Sequence, residues 1–162
     1  MSVGAHDQTC LDALLTEFTT GIPTALDDID ADGGPTLADP ISYVVVDDME
    51  TELFDFPALA LTVDGGSSPQ TDWLTQQRDS EIPLLAAIVL HPADDKQTIS
   101  DRDARHYARA LDVCLTRRFQ NVSGLWFVDV EDLGLEQFGA DKNRRRAFIR
   151  ARLMYRTSRE LT

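Results

Sequence analysis

Strict alternation governs the end of the chain. In RRRAFIRARLMYR (144–156), Ala147, Ile149, Ala151, Leu153 and Tyr155 fall on one side of an extended backbone and Arg146, Phe148, Arg150, Arg152, Met154 and Arg156 on the other. A repeat of two is that of a strand with one face buried. ALALTV behind Pro57 predicts a second strand, and GGSSP after it a turn. Thr71 to Arg78 is expected to pair next. IPLLAAIVLHP is apolar at successive positions, so it predicts a strand covered on both faces and placed centrally, with Pro92 ending it. ISYVVV and LWFVDV read as further strands, and LGLEQFGADKN as a loop or a short extra strand.

Two stretches follow the helical repeat instead. Leu11, Leu14, Leu15 and Phe18 recur at i, i+3, i+4 and i+7 and predict a helix over about Thr9 to Thr20, with Thr9 as N-cap, Asp12 three residues on, and Gly21 and Pro23 as the stop. Ala104, Tyr107, Ala108, Leu111, Cys114 and Leu115 form the stripe of a second helix over Asp101 to Arg118. Ser100 with Asp103 caps its start, and Arg117 and Arg118 complement its negative end. DDIDADGGPTLADP predicts an acidic surface loop at about 27–40. The predicted fold is α+β: an antiparallel or mixed sheet of four to five strands with two helices packed on one face, in a single domain over 1–162 with no internal repeat.

Composition narrows the function. A chain of 162 residues is long enough to bury roughly 70% of its unfolded surface without staples. No apolar run reaches the ~20 residues of a membrane helix, so no membrane partner is expected. MSVGAHDQTC lacks the basic start and apolar stretch of a secretory signal, so Cys10 and Cys114 are expected to be reduced and intracellular. The net charge is −13, unevenly spread: residues 1–77 hold 15 acids and no Lys or Arg, whereas residues from Arg78 onward carry all 15 basic residues. Such a split disfavours general nucleic-acid binding and suits an acidic surface docking on a basic one. Thirteen of the basic residues are arginine, the better cation for two-pronged contacts with carboxylates.

Candidate chemistry is sparse. Asp28, Asp30, Asp32, Gly33 and Asp39 have the spacing of a calcium loop, but Pro35 stands where the loop needs an amide, Asp39 is short for the twelfth position, and no convincing helix follows Pro40. The predicted metal and cofactor complement is none, with a solvated acidic loop expected there. His91, Asp94, Asp95 and His106 supply the residue types of a metal-dependent hydrolase, yet no ligand spacing ties them together, and His106 lies between Arg102, Arg105 and Arg109. Ser67 and Ser68 lack a nucleophile-elbow context and Gly65 and Gly66 open no helix, so no catalytic residue is predicted. Trp73, Trp126 and Phe127 are expected as core or interface anchors.

The layout resembles the tail terminators and related neck or tail-completion proteins of tailed viruses. The resemblance rests on the order LDALLTEFTTGI, FPALALTV, IPLLAAIVLHP, DARHYARALDVCLTRRF and RAFIRARLMYRTSRE, and covers most of the chain. It implies a structural virion protein without enzymatic activity, a homohexameric ring at the neck, assembled in the host cytoplasm. That ring caps the tail tube, docks on the head–tail connector and lets DNA pass without specific binding. Rings form from head-to-tail contacts between two different patches. The expected patches are Arg146, Arg150, Arg152 and Arg156 on one copy and Asp47, Asp48, Glu50, Glu52 and Asp55 on the next.

A competing expectation is an intracellular binding module whose arginine face receives an acidic peptide or a phosphate. Charge reversal at Arg150 and Arg152 separates the two, since it dissolves a ring but leaves a module's oligomeric state unchanged.

Overall fold

The computed structural model describes residues 5–50, 52, 54–64, 68–72, 77–90, 99–139 and 144–158. In chain order they form α1 (Ala5–Ala31), β1 (Ser42–Val45), β2 (Ala58–Val63), β3 (Ser68–Asp72), β4 (Gln77–Leu90), α2 (Asp101–Arg118), a 3-10 turn at Phe119–Asn121, β5 (Leu125–Phe138) and β6 (Arg144–Ser158). The fold is α+β. Five strands follow one another across the sheet in the order β1-β2-β4-β6-β5, and the short β3 pairs with β4 off that path. Among the described strands only the β1–β2 pair is parallel.

Both helices cover one face. Leu59 and Leu61 of β2, Leu84, Ala86 and Ile88 of β4, and Ala147, Ile149 and Leu153 of β6 form one buried cluster with Leu11, Leu14 and Phe18 of α1 and Tyr107, Leu111 and Leu115 of α2. This is the inward set that alternation predicts for β6. β4 lies between β2 and β6, which explains why it is apolar on both faces. Its other face meets a second cluster of Val46, Met49, Ala60, Leu85, Ala87, Val89, Phe138 and Phe148. The chain between β1 and β2 therefore folds back as a lid over one end of the outer face. Pro92, expected to end β4, and the turn at 65–67 lie outside the described residues, as does Trp73.

The first helix exceeds its prediction at both ends. It starts at Ala5, so Thr9 is an interior residue, and it runs through Gly21 and Pro23 to Ala31. Ile22, Ala25, Leu26 and Ile29 are buried and continue the stripe of Leu14 and Phe18, and burial of that stripe outweighs the missing Pro23 amide hydrogen. Gly21 is where the helices come closest: a Cβ there would stand 2.6 Å from Cys114 Sγ and 2.6 Å from Arg118 Cδ. The predicted loop at 27–40 is thus helical in its first third. The second helix matches its reading, and Ser100 Oγ accepts a hydrogen bond from the Asp103 amide at 3.2 Å. LGLEQF belongs to β5, which lengthens the β5–β6 hairpin so that it pairs from Leu125↔Tyr155 to Phe138↔Arg144. At its entry Gly124 takes φ +89°, where a Cβ would run into the Arg156 carbonyl.

Candidate interaction surface

The outer face of β6 presents Arg146, Arg150, Arg152 and Arg156 at every second or fourth position, as its alternation requires. Antiparallel register sets carboxylates opposite: Glu136 faces Arg146, Asp132 faces Arg150, Asp129 faces Arg152, and Asp79 of β4 faces Arg156. Opposed residues on one face stand close enough to interact, and here they form ion pairs. Arg146 Nη2 lies 2.7 Å from Glu136 Oε1. Arg150 reaches Asp64 at 3.1 Å, Glu136 at 3.1 Å and Asp132 at 3.6 Å. Arg152 lies 3.6 Å from both Glu81 and Asp129, and Arg156 is 2.7 Å from Asp79.

These four arginines therefore have six carboxylate partners within their own chain. The face is net acidic where it is richest in arginine. Aromatic rings support it: Arg146 stacks over Phe138 at 4.4 Å, Arg150 over Phe148 at 4.5 Å and Arg156 over Trp126 at 5.4 Å. Arg146 is buried, with Nη1 3.6 Å from Met49 Sδ, whereas Arg152 and Arg156 keep 45% of their side chains exposed.

The acidic stretch predicted as the second patch lies on the same face. Asp47, Asp48, Glu50, Glu52 and Asp55 are exposed, while Met49 between them is buried. Asp47, Asp48 and Glu50 rim a cavity of about 220 Å³ that Arg146 and Asp64 also line. Among the described residues Glu50, Glu52 and Asp55 enter no ion pair. Arg144, which alternation did not single out, ties this segment down: its Nη1 donates to the Glu52 carbonyl at 2.7 Å and to the Met49 carbonyl at 3.4 Å. Arg145 points to the helix side, donating to Asp101 Oδ1 at 2.6 Å and to the Ile99 carbonyl at 2.9 Å. The signal for the arginines' partners was present in LWFVDVEDLGLEQF, whose Asp129, Asp132 and Glu136 fall on the outer face once β5 pairs with β6.

Other candidates are not brought together. Asp28 and Asp30 belong to α1, so the calcium-loop spacing does not fold as a loop, and Asp32 and Asp39 follow it in a turn and an extended segment. Among the described residues no three His, Cys, Asp or Glu side chains are placed to hold a metal ion. His91, Asp94 and Asp95 lie outside the described residues, and His106 is half-buried on α2. Cys10 and Cys114 are free and buried; burial, with Asp7 nearby, pushes the Cys10 thiol up to about 12, and burial pushes Cys114 up to about 11. Among the described residues no helix is long and apolar enough to cross a membrane. Trp126 and Phe127 are exposed on β5 and so are not core residues.

No protein-family model and no curated protein matches the chain.

Proposed function

We propose that the chain is a ring-forming structural protein of a tailed virus, a tail terminator at the head–tail junction that caps the tail tube and docks to the connector. The observation that carries this reading is the exposed, internally unpaired set Glu50, Glu52 and Asp55 on the same sheet face as the half-exposed arginines of β6. Carboxylates that a chain leaves unpaired beside a segment it anchors with Arg144 suit a neighbour's Arg150, Arg152 and Arg156, whose side chains stay 33–45% exposed despite their internal pairs. The order of elements supports the same reading, since a helix, a sheet, a second helix and a closing hairpin is the layout that carries the resemblance.

The binding-module reading would use the same arginines: an acidic peptide or a phosphate, like a neighbour's carboxylates, would have to compete with the six carboxylates they already hold.

The test is the molar mass in solution, by light scattering, of the wild type and of a Glu50→Arg, Glu52→Arg, Asp55→Arg variant. These positions break no internal ion pair, so the variant keeps the wild-type melting temperature. The expected result is a wild-type mass of several subunits that falls to one in the variant. A wild type that stays monomeric at every concentration and binds a polyanionic peptide would favour the module.

A further inference from the structure

The sheet has two open edges, and they are chemically unlike. β5 pairs only with β6 and β1 only with β2 among the described residues. Among the described residues the large apolar side chains left exposed all lie on these edge strands or beside them: Ile41 at 68% next to β1, and Trp126, Phe127 and Leu133 at 39–50% on β5. An edge strand offers a row of backbone donors and acceptors to any strand that fits. β5 carries four acids and no basic residue, so pairing β5 with a second β5 would set like charges against one another. ISYVVV around β1 carries no charge at all.

Resting on the ring reading, we infer that the contact between copies includes β-sheet pairing, with β1 of one copy added antiparallel to the Asp132–Phe138 stretch of β5 on the next. The direction follows from the topology. β1 runs with β2, which is antiparallel to β4, which is antiparallel to β6, which is antiparallel to β5, so β1 and β5 run oppositely. Rotation about an axis along the strands preserves those senses and brings the two edges together antiparallel.

The register follows too. A closed ring has no rise per copy, so the edges meet at the level they share in one subunit. Ser42 is level with Ala58, Val89, Arg146 and Glu136, and Val45 with Leu61, Ala86, Ile149 and Leu133. Across the contact Val45 then stands opposite Leu133, Tyr43 opposite Leu135 and Ile41 opposite Gln137. These side chains share the helix-covered face, so the apolar rows of the core continue into the neighbour and Leu133 is covered. The chosen stretch is also the part of β5 free of bulges, which occur at Leu125/Phe127 and Val130/Asp132 and discourage pairing elsewhere along the edge. This contact lies at the sheet margin, apart from the charged patches of the outer face, and has its own test.

The experiment mixes a tagged Ile41→Cys protein with an untagged Gln137→Cys protein under mild oxidation or with a short thiol cross-linker; the native thiols are buried. The expected product is the mixed dimer, with neither variant cross-linking to itself, and the double variant gives a ladder that stops at the ring size. Leu133→Lys, at an exposed position, raises the concentration of half-assembly roughly tenfold, the effect of losing one apolar contact, without changing the melting temperature. Assembly that proceeds without the mixed cross-link and is indifferent to Leu133→Lys overturns the edge contact and leaves the ring reading standing. Cross-linking of Gln137→Cys to itself shows β5–β5 pairing and overturns the inference. A wild type that never assembles overturns both.

Discussion

Arg146 and Glu136 face each other directly across the β5–β6 pair, with Nη2 and Oε1 2.7 Å apart and the Arg146 side chain 9% exposed. Removing one partner of such a pair costs more than the pair itself contributes, because it strands the other charge out of water. Glu136→Ala is expected to cost about 1–3 kcal/mol in urea unfolding, and Arg146→Met in the same background to recover most of that. A double variant whose loss is the sum of the two single losses would show that the two side chains act independently.

The close approach of α1 to α2 at Gly21 gives a substitution with opposing terms. Alanine gains about 1 kcal/mol of helix propensity over glycine, but its Cβ meets Cys114 Sγ at 2.6 Å in a buried contact. Overpacking costs typically 1–3 kcal/mol. Gly21→Ala is therefore expected to destabilise, and a raised melting temperature would show that the helices separate freely.

Thiol chemistry checks the placement of both helices. With Cys10 pushed up to about 12 and Cys114 to about 11 by burial, the native protein carries almost no thiolate at pH 8. Alkylation at pH 8 is expected to be slow for both cysteines and to become fast in denaturant. Fast labelling of either thiol in the native protein would contradict its position.

Glu17 sets an acid dependence. Its carboxylate accepts hydrogen bonds from Asn121 and Arg118, which hold it below the usual glutamate range. A depressed folded-state value contributes stability above the unfolded value and loses it as pH falls through the folded one. The melting-temperature gap between wild type and Glu17→Gln is expected to be widest near neutrality and to close in acid. A gap that widens in acid would reverse the sign.

Much of the fold was legible because its strands and second helix obey a single local repeat. β6 carries its burial in its alternation and β4 in a continuous apolar run, and α2 carries its cap in Ser100 and Asp103. α1 was less legible: Gly21 and Pro23 read as a stop, yet Ile22, Leu26 and Ile29 continued the apolar stripe, and the glycine serves contact with α2 that no local pattern encodes. The interaction surface was half legible. Alternation placed Arg146, Arg150, Arg152 and Arg156 on one outward face, but their partners Asp79, Glu136 and Asp64 depend on which strands adjoin, a property of topology rather than of spacing.

Negative-stain electron microscopy of the wild-type protein at low salt tests self-assembly most directly. The account predicts class averages of closed rings with a central opening, built from a fixed number of copies. Single particles of one subunit at every concentration, or open filaments without closure, would contradict it.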